Sequence, residues 1–346
     1  MNAIDVNNLS KSFRTFSRRE GISGSVRDLF QRDYRDLQAV DSISFTVKPG
    51  ELIGYIGPNG AGKSTSIKML TGILKPTSGE MKVLGFDPFL QRKEYTRHIG
   101  VVFGQRTQLW WDIAVIESLK LLGHIYQVAP ADFSKRLENL TGILGMEEFL
   151  HTPVRKLSLG QRIRSDLAAS LIHNPQILFL DEPTIGLDAV AKDSVRTFLR
   201  HINREFKTTI LLTTHDLKEI EELCDRMLIL DKGKIVYDGS LYAIKNLPGL
   251  ERQIFVDFKQ EVPLSEIESL FPGKIRCSVE GARRVVVTYD QQLVTTPHLA
   301  REILSRWEIR DLTILEPDIE DVIRKVYRDG MESFGDESAD QAAPAI

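Results

Sequence analysis

Gly57-Pro58-Asn59-Gly60-Ala61-Gly62-Lys63-Ser64-Thr65 follows the apolar run Glu51 to Ile56 and leads into Lys63 to Leu70, a segment of helical period. The spacing G-x-x-x-x-G-K-[ST] between a strand and a helix is that of a phosphate cradle. Its glycines let the backbone turn tightly enough for successive N–H groups to point at one anion, and the helix start adds a positive dipole end. Lys63 is placed to reach the β- and γ-phosphates of a nucleotide, and Ser64 to ligate Mg²⁺. A chance Gly-rich turn does not bring strand, spacing, lysine and hydroxyl together.

Outward from this stretch, short apolar runs alternate with longer helical-period segments between Ile4 and Ile244. That alternation predicts an α/β domain with a largely parallel sheet. Ile177 to Leu180 and Thr209 to Thr213 read as further buried strands with polar ends, where ligands sit in such sheets. Asp181 and Glu182 stand at the end of the first of these strands, and His215 stands just beyond the second. Asp181 suits a hold on Mg²⁺ and Glu182 suits polarising an attacking water. A lone Asp-Glu pair after a strand often marks only a turn, so its chemistry rests on the cradle upstream.

The chain has 346 residues, with 45 basic against 48 acidic, so no global charge excess draws it to nucleic acid. Cys224 and Cys277 lack the close spacing of a zinc site or a disulfide framework, and a reducing cytosol is the simplest home. Met1 to Ser10 lacks the basic-then-apolar order of a signal peptide. The longest apolar runs are strand-sized, whereas a membrane span takes ~20 residues, so any span is expected on another polypeptide.

Three segments depart from this alternating pattern. Residues 14–37 are rich in arginine and carry Val26, Leu29 and Phe30 at helix-like spacing. They read as an insertion bearing a short amphipathic helix, either a solvated excursion or a contact with lipid head groups or a membrane partner. From Gln253 to Arg328 the pattern is β-α-β-β-α-β-α, which predicts a small ferredoxin-like α+β module. The acidic, Ala-rich stretch beyond Met331 is expected to be a disordered tail. The expected organisation is a nucleotide-binding domain over 1–248, an extension over 249–330 and the tail over 331–346.

Leu157-Ser158-Leu159-Gly160-Gln161, standing before a helical segment and upstream of Asp181, resembles the LSGGQ signature of the ATP-binding cassette family, with leucine at the third position. The resemblance covers roughly residues 4 to 245. Such a stretch presents a serine hydroxyl, a glycine backbone and a helix start to an anion. In the family that anion is the γ-phosphate held by a second subunit, so the resemblance implies a dimer, a homodimer before a heterodimer, with ATP and Mg²⁺ at its seam. It implies roles for Ser158, Gly160 and Gln161 in that contact, for Gly186-Leu187-Asp188 as the D-loop, and for His215 as the switch histidine at the γ-phosphate.

Gln105 resembles the Q-loop glutamine that senses Mg²⁺ and water, although Gly104 stands where the family more often runs from an aromatic straight into glutamine; Gln108 is the alternative. Phe13 resembles the aromatic that stacks on adenine, with Tyr34 as competitor. Leu109-Trp110-Trp111 reads either as anchors for a partner's helix or as part of the domain's own packing. A single cradle argues against tandem-cassette translation factors, and the short gap from Lys63 to Ser158 leaves no room for the long coiled coil of repair ATPases. With a short extension closing in Asp318-Ile319-Glu320-Asp321-Val322-Ile323, the chain looks like the ABC-2 exporter group. That implies an ATPase on the cytoplasmic face of the membrane beneath a separate permease, the other reading being a non-transport ATPase or nucleotide sensor.

Overall fold

The computed structural model describes residues 1–16, 34–104, 106–281 and 283–331. It divides into two compact units, Met1–Asp238 and Gly239–Ile346. In chain order the first contains β1 (Ile4–Phe16), β2 (Tyr34–Val47), β3 (Leu52–Ile56), α1 (Lys63–Leu70), β4 (Ser78–Val83), α2 (Arg92–Tyr95) and β5 (Ile99–Phe103). It continues with α3 (Val115–Ile125), α4 (Pro130–Leu144), α5 (Leu159–Leu171), β6 (Ile177–Asp181), α6 (Ala189–Phe206), β7 (Thr209–Thr213), α7 (Leu217–Leu223), β8 (Arg226–Asp231) and β9 (Lys234–Ser240).

Every residue of β3 and β7 is buried, as are the first four of β6. Strands covered on both faces read as continuous apolar runs and pair in parallel between helices. They lie in a six-stranded sheet of order β5-β6-β7-β3-β8-β9. The pairs β5/β6, β6/β7, β7/β3 and β3/β8 are parallel. The two-residue link from Asp231 to Lys234 returns β9 as a hairpin, since a parallel return needs a far longer crossover.

A separate three-stranded antiparallel sheet, order β2-β1-β4, was not resolved by the sequence pattern. Its inner residues, among them Ile4, Val6, Leu9, Val40 and Phe45, share one core with Ile53, Tyr55, Ile67 and Leu228. The expected insertion at 14–37 begins and ends as ladder: Arg14 pairs with Asp36, Thr15 with Arg35 and Phe16 with Tyr34. Antiparallel pairing satisfies these backbone groups, so the strands run further than the apolar pattern does. Val26, Leu29 and Phe30 lie outside the described residues.

The second unit holds α8 (Leu241–Lys245), β10 (Glu251–Phe258), α9 (Leu264–Glu268), β11 (Ile275–Val279), β12 (Arg284–Asp290), α10 (Thr296–Arg306), β13 (Ile309–Leu315) and α11 (Ile319–Asp329). Its strands form an antiparallel sheet of order β11-β12-β10-β13. Alternate residues Ile254, Val256 and Phe258 pack with Val285, Val287, Ile267, Leu299 and Ile303 into a core of its own. In α11 the buried residues Ile319, Val322, Ile323 and Val326 fall on one stripe at helical spacing. The tail beyond Met331 lies outside the described residues.

α5 is the helix that carries the signature-like segment at its start, and a buried carboxylate locates it. Asp166, 5% exposed, accepts from the Thr107 hydroxyl at 2.8 Å and the Gln108 N–H at 3.0 Å, while the Gln108 side-chain amide donates to the Asp166 carbonyl at 2.8 Å. The segment after β5 is thereby pinned to α5. Burial pushes the Asp166 carboxyl up to about 6, against the opposing pull of the Gln108 and Thr107 hydrogen bonds and of Arg162.

A carboxyl raised above its unfolded value binds more protons in the native state between those two values, so its contribution is complete below about pH 4 and lost as pH rises through about 6. Asp166→Asn keeps an acceptor for both donors and removes the titration. Relative to the natural chain, the variant should gain stability on the order of 2 kcal/mol between pH 4 and 7.5. Thermal or urea melts across that range measure it, and parallel curves for the two chains would show that this carboxyl does not titrate on folding.

Candidate functional site

The loop after β3 closes against β2. At Gly62, φ is +105°, and a Cβ there would lie 2.5 Å from the Ala39 carbonyl oxygen, so both conformation and space require glycine. Asn59 and Gly60 stand exposed on the loop, Ala61 is buried beneath it, and Thr65 is half-buried in the first turn of α1. The Lys63 ammonium folds back over the loop, donating to the carbonyls of Gly57 at 2.6 Å and Pro58 at 3.2 Å. Only 7% of Lys63 is exposed. Burial holds its pKa below the ordinary lysine range, while the nearby Glu182 and Asp181 carboxylates pull the other way.

The carboxyl ends of β6 and β7 meet this loop. Ser64 Oγ donates to Asp181 Oδ1 at 3.3 Å, and Thr213 Oγ1 donates to the same oxygen at 2.7 Å. The Glu182 N–H is shared between the Thr213 carbonyl at 3.0 Å and the Thr213 hydroxyl at 3.1 Å. Glu182 has φ +53°, a left-handed conformation uncommon outside glycine. His215 Nδ1 lies 3.7 Å from Glu182 Oε2 and the imidazole is well exposed.

Gly104 explains the departure noted beside Gln105. Its N–H donates to the Asp181 carbonyl at 2.8 Å, and a Cβ would lie 2.0 Å from the Glu182 carbonyl oxygen. Any larger residue would push the 181–182 bend aside. Gln105 itself lies outside the described residues. Gln108, the alternative, already spends its side-chain amide on Asp166.

Ser158 caps α5: its hydroxyl accepts the Gln161 N–H at 3.2 Å and the Gln161 side chain accepts the Ser158 N–H at 2.9 Å. This reciprocal box satisfies donors at the helix start and leaves the serine proton free to donate. Asp188 caps α6 in the same way, accepting from the Ala191 N–H at 2.8 Å. Gly160 faces Ala191 and Leu187, and Gly186 faces Leu159, so the start of α5 rests on the turn before α6. Among the described residues these cap side chains hydrogen-bond only within 158–161 and 188–191, away from the Lys63 loop.

Phe13 sits on the β1/β2 hairpin opposite Leu37, half-buried, with the Lys11 ammonium 5.3 Å from its ring centroid. The Tyr34 side chain lies outside the described residues. Leu109 is buried, whereas Trp110 and Trp111 are 40% and 49% exposed. The Arg162 guanidinium stands 5.6 Å from the Trp111 ring.

The donor chemistry fits a magnesium nucleotide. The Ser64 hydroxyl and the Asp181 carboxylate are hard oxygen ligands standing side by side, and no group of three or more His, Cys, Asp or Glu suited to a metal occurs among the described residues. A site with few protein ligands suits Mg²⁺, which takes its remaining oxygens from phosphate and water. Thr213 is the member of this array that sequence spacing missed. Its signal was a hydroxyl closing the strand after three apolar residues.

Comparison with known proteins agrees with this geometry. The ABC transporter family model matches residues 40–185. The chain is 35% identical over 215 residues to the ABC transporter ATP-binding protein NatA of Bacillus subtilis, covering 62% of this chain and 87% of that protein. It is 33% identical over 304 residues to the Nod factor export ATP-binding protein I of Rhizobium leguminosarum, covering 87% of this chain and 94% of that one. A solved dimeric ATP-binding cassette in a post-hydrolysis state with ADP and Pi superposes with a TM-score of 0.58 at 25% identity, covering 69% of this chain and 98% of that one. A cradle at the end of β3, carboxylates at the end of β6 and these relatives lead to one conclusion: the chain belongs to the ABC transporter ATP-binding family and is the ATP-hydrolysing subunit of such a transporter.

Proposed function

We propose that this subunit drives an ABC-2 type exporter as a homodimer, each chain offering its Leu157 to Gln161 segment to the nucleotide held by its mate. One observation carries the dimer: α5 starts with an exposed, capped serine whose hydroxyl donates to no group among the described residues. The export direction is supported by the match to a Nod factor export protein, which covers 87% of this chain and 94% of that one and so extends beyond the first unit. Among the described residues no helix is long and apolar enough to cross a membrane. ABC ATP-binding subunits work with membrane permeases, and a separate permease with this chain bound at its cytoplasmic face completes the proposal.

In this reading Lys63 binds the β- and γ-phosphates, with the backbone of residues 57–65 wrapped around them, and Phe13 stacks on adenine. Ser64 and Asp181, joined by Gln105, hold Mg²⁺, which when bound supplies positive charge against the phosphates. Glu182 orients the attacking water and takes its proton, and His215, beside that carboxylate, faces the γ-phosphate. Ser158, Gly160 and Gln161 of one chain, with Asp188 at the seam, close the site of the other. Closure moves the permease and hydrolysis releases it.

Lys63→Ala should lower ATP turnover on the order of 10²-fold or more, the scale on which loss of one charge-stabilising donor acts. Undiminished phosphate release in a coupled assay would remove the cradle from the reaction. Glu182→Gln should still bind ATP, stall hydrolysis and accumulate as dimer on size exclusion with Mg-ATP. A monomeric and fully active Glu182→Gln protein would overturn both the role of that carboxylate and the shared site. A natural chain that binds ATP without turnover, alone or with its permease, would instead mark it as a nucleotide sensor.

A further inference from the structure

Beside the end of β6 stands a residue whose hydroxyl touches both the Asp181 carboxylate and the Glu182 backbone. Thr213 is the last residue of β7 and the parallel partner of Asp181. Its side chain is fully buried. One hydroxyl does two things there: its proton goes to Asp181 Oδ1 at 2.7 Å, and its lone pair accepts the Glu182 N–H at 3.1 Å. We propose that Thr213 is a positioning residue for ATP hydrolysis, its hydroxyl setting the rotamer of Asp181 and the bend of Glu182 together. This inference rests on the proposed roles of those two carboxylates.

Geometry separates Thr213 from its neighbours. Ser64 also donates to Asp181 Oδ1, but from an exposed position and at 3.3 Å. Thr213 offers the shorter bond from a buried, β-branched side chain with few rotamers, so it constrains the carboxylate more tightly. On the other side, the left-handed backbone of Glu182 needs support at both ends. Its N–H is held by Thr213, and its carbonyl packs over Gly104, where only glycine leaves room. The carboxylate is thereby directed to the side of His215.

Strand pairing alone does not supply this. The Thr213 carbonyl would still accept the Glu182 N–H in a variant lacking the hydroxyl. Asp181 Oδ1, however, would face an apolar group where a buried donor had stood, and would be free to change rotamer. The methyl of Thr213 is packing; the hydroxyl carries the inference. The two are separable by substitution.

Thr213→Val keeps shape and strand propensity and removes the hydroxyl, whereas Thr213→Ser keeps the hydroxyl and removes the methyl. With melting temperatures compared first, Thr213→Val should lose on the order of 10- to 100-fold in kcat, the scale of a misplaced catalytic group. Its KM for ATP at saturating Mg²⁺ should stay near the natural value. In a binding assay without turnover, a fluorescent ATP analogue titrated with Mg²⁺ should need more metal for half-saturation. Thr213→Ser should restore both readouts. Should Thr213→Val melt early, Thr213→Ala is read in the same way. Natural kcat and Mg²⁺ dependence in the hydroxyl-free variant, or a serine variant as impaired as valine, would overturn the inference. Glu182→Gln assayed alongside separates the levels: if it is inactive while Thr213→Val is normal, only the role of Thr213 fails, and if it is fully active, the reading of the carboxylates fails with it.

Discussion

The parallel register of β6 against β7 places Asp181 beside Thr213, and Phe103 of β5 on the other side of Asp181. The interior of this sheet is mostly apolar, with β3, β7 and the first four residues of β6 buried. Asp181 and Thr213 are the last residues of their strands, at the carboxyl edge beside the Lys63 loop. A slip of one residue between β6 and β7 would exchange the faces against which their side chains pack and separate the hydroxyl from the carboxylate at once. Burial of many apolar residues therefore enforces the position of a few polar ones, and the chemistry rests on that enforcement.

At this edge, charges are held close to one another and partly away from water. Lys63 is nearly buried and donates to two carbonyls of its own loop, with the carboxylates of Glu182 and Asp181 near enough to favour its charged form. A cation so placed is held in position rather than gathered from solvent, which is the advantage of an electrostatically preorganised site. Away from the edge, Asp166 shows the opposite use of burial. Its carboxylate is desolvated to join the segment after β5 to the helix that begins at Ser158, linking two stretches that the chain separates by some fifty residues.

The second unit has a hydrophobic core of its own, formed from alternate residues of an antiparallel sheet and the helices over one face. The match to a Nod factor export protein covers 87% of this chain, more than the first unit alone could supply.

Contiguous spacing made much of the site legible from the chain. Residues 57–65, 157–161 and 181–182 act through neighbours a few positions away, so the order of residue types carries their geometry, and Ser158 and Gln161 form the reciprocal cap that such an order allows. Thr213, Gly104 and Gln108 were not legible in that way. The hydroxyl of Thr213 gains its partner through a strand 32 residues upstream, Gly104 is needed because the Glu182 carbonyl in the bend after β6 passes over it, and Gln108 is held by a helix formed much later in the chain. The antiparallel sheet was hidden for the same reason, since β1 finds its second partner in β4 across the whole cradle. The sequence by itself determined the glycine-rich loop at 57–65, the adjacent carboxylates at 181–182 and the strand pattern, because each depends on local order. Only the tertiary structure decided which distant groups hold them, because strand register and side-chain approach are set by the packing of the entire core.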